Sequence, residues 1–117
     1  MVGGFFVFGC RSSREASDGT CADFSGMWDT YFGYMHLEQE GTRVSGKYHS
    51  DIGVIRGTVK GDTFFFTWRD HQGSGRGYFV MAPEGKSFSG VYKILESRDA
   101  RPEDSWDGQW NGVRISR

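Results

Sequence analysis

Repeatedly in this chain a glycine stands two residues before a large apolar or aromatic side chain, as at Gly26/Trp28, Gly46/Tyr48, Gly57/Val59, Gly77/Phe79, Gly90/Tyr92 and Gly108/Trp110. Residues two apart in a strand share a face, so each glycine sits beside a bulky group on one side of a sheet. That is the pattern of a barrel or sandwich interior filled by rings. Eighteen glycines against two prolines suit short strands joined by tight turns.

At 117 residues, 16% of them aromatic, the chain is long enough for one domain with a real core. Its 14 basic and 15 acidic residues balance to a net charge of −1. Without a positive surplus, no nucleic-acid partner is expected. No apolar run reaches the roughly 18 to 20 residues of a membrane span, so membrane contact is expected only through a lipid anchor.

Residues 1–23 read as an apolar, then polar, N-terminal segment ahead of a domain over 24–117. Val7-Phe8-Gly9-Cys10 resembles the end of a bacterial lipoprotein signal, with Cys10 as the lipid-bearing residue and an exported, periplasmic or membrane-anchored protein as the implication. The alternative is a cytoplasmic protein in which this segment is a strand or a tail. Cys10 and Cys21 could also form one disulfide in an oxidising compartment; two cysteines give no metal-site spacing.

Period-two alternation and turn punctuation predict eight strands: 24–32, 34–39, 43–50, 54–60, 63–69, 76–82, 87–95 and 105–115. A two-residue Gly41-Thr42 turn of type II′ needs glycine first, and it sets Leu37 against Gly46 and Met35 against Tyr48. Gly61-Asp62 likewise sets Val59 against Phe64, Gly57 against Phe66 and Ile55 against Trp68. A one-residue slip would turn these sets outward. Eight strands in succession predict a small all-β, antiparallel up-and-down barrel, with a flattened β-sandwich as the alternative.

The polar residues offer no reaction. In this register His36 faces Lys47 and His49 faces Tyr34, outward and with no third ligand, so no metal site is expected. Asp70-His71 opens the stretch Gln72-Gly73-Ser74-Gly75, read as a hairpin loop; neighbouring strand residues point apart, and no nucleophile elbow is present. Glu103, Asp104 and Asp107 lack calcium-loop spacing. No enzyme activity and no cofactor are expected.

Ser25-Gly26-Met27-Trp28, Val44-Ser45-Gly46-Lys47-Tyr48-His49-Ser50 and Phe66-Thr67-Trp68-Arg69 are similar to strands of the avidin and streptavidin family. That resemblance covers 24 to the end and implies an eight-stranded barrel with Tyr48, Ser50 and Trp68 at a ligand cavity. The chain departs from the family's pattern at Thr30, at Tyr34 and at Gly112-Val113-Arg114, where polar biotin ligands would stand. Tight biotin binding is therefore not expected, since an unpaired buried polar group costs about 1–3 kcal/mol.

Trp28, Trp68, Trp106 and Trp110 fall at positions expected to face inward, with Tyr48 and Tyr92. Small barrels either pack solid or hold one small ligand, and rings with polar tips suit an amphipathic pocket. The expected function is that of a non-enzymatic, lipocalin-like exported barrel binding a small hydrophobic or amphipathic ligand through Trp28, Tyr48, Ser50, Trp68, Tyr92 and Trp110. The alternative is an envelope interaction protein with a packed interior, binding a protein partner through Tyr34, Val54 and Phe65 on its outer face.

Overall fold

The computed structural model describes residues 21–96 and 106–117. Among the described residues nine strands make one antiparallel sheet: β1 (Gly26–Thr30), β2 (Gly33–Glu40), β3 (Arg43–Tyr48), β4 (Gly53–Lys60), β5 (Thr63–Asp70), β6 (Gly73–Met81), β7 (Ser87–Glu96), β8 (Gly108–Gln109) and β9 (Gly112–Ser116). Consecutive strands pair from β1 through β7, β9 joins β7 to β1, and the ring of eight is closed. β8 pairs with β7 alone. This is a closed barrel, not a flattened sandwich, and its architecture is consistent with an avidin-like fold.

The hairpin registers follow from the turns. Gly41 and Gly61 have φ of +65° and +64°, the left-handed conformation glycine adopts without a Cβ penalty. They set Leu37 opposite Gly46, Met35 opposite Tyr48, Gly57 opposite Phe66 and Ile55 opposite Trp68, as the alternation predicts. Glycine faces a large side chain across the strand because there is no room for more. A Cβ on Gly57 would lie 1.9 Å from the Phe65 carbonyl oxygen.

Four expectations are corrected. Phe24 does not belong to the first strand, which starts at Gly26; fully buried, it lies under one end of the barrel. Gly73, Ser74 and Gly75 are not loop but the start of β6, paired with Asp70, Arg69 and Trp68, because glycine tolerates close strand approach. Trp106 is 44% exposed rather than inward. It precedes β8 and packs edge-on against Tyr78 outside the barrel. The last strand is also broken: Trp110 donates its backbone N–H to Gly90, while the Asn111 side chain accepts from the Gly90 amide.

Phe24 seals what we call the base. Its ring meets Trp28, Phe64 and Phe88 at centroid distances of 6.4, 5.5 and 6.5 Å. Its carbonyl accepts the Trp28 indole N–H at 2.9 Å. Arg114 ties the crossing segment down, donating to the carbonyls of Asp23, Ser25 and Gly85 while its guanidinium stacks 4.3 Å over the Trp28 ring. Gln39 accepts from the Phe24 amide and donates to the Ala22 carbonyl. The base is thus closed by hydrogen-bonded backbone.

Candidate functional site

At the opposite end, the mouth, the chain turns at Tyr31-Phe32, His49–Ile52 and His71-Gln72. Alternation on the strands delivers a cluster of rings here. Trp110 stands at its centre, 4.9 Å from Tyr48, 5.0 Å from Phe32 and 6.3 Å from Tyr92, each edge-on. Tyr92 in turn meets Trp68 at 6.2 Å and Phe32 at 5.3 Å. Edge-to-face pairs at these distances are favourable beyond their buried area.

The polar tips of Trp110 and Tyr48 are fixed. The Trp110 indole N–H donates to Thr30 Oγ1 at 3.1 Å, and that hydroxyl donates to the Gly33 carbonyl at 2.7 Å. Tyr48 reaches across β4 to β5, where its hydroxyl donates to Asp70 Oδ2 at 2.9 Å. Gly53, which pairs with Tyr48, allows this: a Cβ there would lie 2.3 Å from the tyrosine ring. Asp70 Oδ1 accepts the Gln72 amide at 2.8 Å. Burial first, then the bond to Asp70 and the repulsion from its charge, push the Tyr48 hydroxyl far above the ordinary tyrosine pKa. It is a neutral donor throughout the physiological range.

Trp68 is the exception. It is 8% exposed, and its Nε1 is the buried side-chain polar atom among the described residues that has no hydrogen-bond partner. Leaving a buried donor unpaired costs about 1–3 kcal/mol, so this N–H keeps an unused bonding capacity among the described residues.

Of the six residues expected at a ligand site, the structure brings Tyr48, Trp68, Tyr92 and Trp110 together. Trp28 belongs to the base, under Arg114. Ser50 is exposed in the β3–β4 turn, where His49, Ser50 and Asp51 all have positive φ (54°, 55° and 68°). The β2–β3 pairing ends at Met35 and Tyr48, short of the expected His49–Tyr34 pair, and the His49 ring stacks on His71 at 5.7 Å. Phe32, Thr30 and Asp70 were missed as members of the cluster. The signal for Asp70 was Gly53, a strand position left without a side chain beside Tyr48.

Among the described residues no group of three or more histidine, cysteine or acidic side chains is placed to hold a metal. Cys21 is disulfide-bonded, and its sulfur lies 3.6 Å from the Val59 carbonyl. The lipid attachment expected at Cys10 lies outside the described residues. No family model, curated protein or solved structure matches this chain.

Proposed function

We propose that the protein is a non-enzymatic binding barrel that takes one small amphipathic ligand at its mouth. The ligand's apolar part packs on Phe32, Tyr92 and Trp110, and an acceptor atom on it receives the Trp68 indole N–H. The observation that carries this reading is the buried Trp68 Nε1 without a partner among the described residues, in a cluster where the polar tips of Tyr48 and Trp110 are already bonded. Export is part of the proposal, and the disulfide at Cys21 supports an oxidising compartment. Because the chain has two cysteines, an intramolecular bridge to Cys21 and a lipid on Cys10 are alternatives for one sulfur.

Native mass spectrometry of the chain expressed in bacteria with its full upstream region tests this. The expected spectrum carries a small molecule that leaves on mild activation, with its occupancy reduced about five- to thirtyfold in Trp68→Phe, the equivalent of one hydrogen bond of about 1–2 kcal/mol. A bare mass, together with a Trp68→Phe variant more stable than the parent, would refute the mouth site. The indole N–H would then be a simple liability of the core. The same spectra report whether Cys10 carries a diacylglycerol.

A further inference from the structure

A second binding surface lies outside the barrel, away from the mouth. The outward residues of β2 through β6 form two rows across the sheet. One runs Glu38, Ser45, Arg56, Thr67, Arg76, each paired with the next. The other runs Glu40, Arg43, Thr58, Phe65, Tyr78, paired in the same way. They line a cleft of about 1350 Å³ that Trp106 borders. Ligand pockets for single small molecules run from about 300 to 1,000 Å³, and five strands span about 19 Å, so this cleft fits an extended ligand.

Its chemistry is specific. Phe65 and Trp106 are 48% and 44% exposed, and they make a continuous aromatic ledge with Tyr78 between them, at 6.1 and 5.5 Å. The Arg76 guanidinium is held 5.9 Å over the Trp106 ring. Arg43, Arg56 and Arg76 face no carboxylate within ion-pair distance among the described residues. Three guanidiniums without an ion pair among the described residues suit an anionic ligand, and their fork geometry favours carboxylate or phosphate. Ser45, Thr58 and Thr67 supply a hydroxyl floor between them.

Two features choose among anionic polymers. Glu38 and Glu40 occupy one end of the same cleft, where a phosphate on every unit would be repelled, and the chain as a whole carries −1; nucleic acid is disfavoured. An acidic peptide would gain most from adding a strand to an open sheet edge, but closure through the β6–β7 and β1–β9 pairs removes the long edges. What remains is a hydroxyl-rich chain with flat apolar ring faces and intermittent carboxylates. We infer that this cleft binds an acidic carbohydrate, with its carboxylates on Arg56 and Arg76, its ring faces on Tyr78 and Trp106, and its neutral hydroxyls toward Glu38.

The test is titration calorimetry of the full chain with hexasaccharides in which galacturonate, glucuronate or mannuronate alternates with a neutral hexose, each beside its carboxyl-reduced neutral counterpart. At least one acidic hexamer is expected to bind, with its neutral counterpart at least tenfold weaker. Arg56→Gln with Arg76→Gln, and separately Trp106→Ala, are expected to weaken it at least tenfold while the melting temperature stays near that of the parent. Trp68→Phe is expected to leave this binding unchanged, which separates it from the mouth. Absence of binding by all three acids overturns the inference, as does binding that survives both sets of substitutions. Stronger binding of an oligonucleotide or a glutamate-rich peptide than of any acidic hexamer overturns it as well.

Discussion

Substituting Gly57 by alanine is expected to cost more than any turn glycine, although alanine is the better strand residue. The added Cβ would lie 1.9 Å from the Phe65 carbonyl oxygen and 2.7 Å from the Phe66 Cα. Both are backbone atoms of β5, so neither can rotate away. Relief requires β4 and β5 to separate by about 1 Å, a fifth of the strand spacing, at the cost of their local ladder bonds. Overpacking of this kind costs about 1–3 kcal/mol, and a purely backbone clash belongs at the upper end, about 3 kcal/mol of a total stability of about 5–15. Gly61→Ala is the matched control. Nothing lies within 4 Å of its Cβ, but its φ of +64° imposes a conformational cost of about 1 kcal/mol. Urea unfolding followed by tryptophan fluorescence reads both, and with a slope of about 1–3 kcal/mol per molar the Gly57 midpoint should fall about three times as far. A Gly57→Ala midpoint at or above that of Gly61→Ala would refute the register argument.

The Tyr48 hydroxyl predicts an alkaline signature. Its folded pKa is raised, so above the ordinary tyrosine value near 10 the unfolded chain releases a proton that the folded one keeps, and stability falls by at most about 1.4 kcal/mol per pH unit from this group. Chemical denaturation from pH 8 to 11 should show a smaller fall in Tyr48→Phe than in the parent; parallel profiles would contradict the burial of this hydroxyl. Arg114→Gln is expected to loosen the base without unfolding the barrel, because the carbonyls of Asp23, Ser25 and Gly85 lose a charged donor worth about 1.5–3 kcal/mol per bond at most. Amide exchange at Ala22 and Phe24, which bond to Gly61 and Gln39, should quicken at least tenfold, and unchanged exchange there would show that Arg114 is not the tether.

The barrel was legible because its determinants are local. Gly41 and Gly61 each fix a hairpin, and once a hairpin is fixed, period two places every ring on β2 to β5. The misplaced residues depend on contacts between distant segments. Phe24 continues the alternation of β1 yet leaves the sheet, because residues 21–25 are drawn across the base by Arg114 and Gln39 from the far ends of other strands. Trp106 keeps the spacing of an inward residue, but strand spacing has no meaning ahead of β8. Ser50 follows Tyr48 by two, and three successive left-handed residues cancel the inference. At the mouth the rings were readable from alternation, whereas the Tyr48–Asp70 bond and the unpaired Trp68 N–H were not, since hydrogen bonding between strands that are not adjacent leaves no periodic trace.

Closure by β9 gives the barrel a schedule as well as a shape. β1 pairs with residues 112–116, the longest sequence span in the sheet, and nonlocal pairing of that kind is slow to form. Until β9 is available, β1 and the start of β7 present bare edges, the sites where chains join one another. The five residues of β9 therefore act as a latch: a chain cut short of Gly112 has nearly all of its described core side chains and an open seam, so its predicted failure is assembly into oligomers rather than simple unfolding.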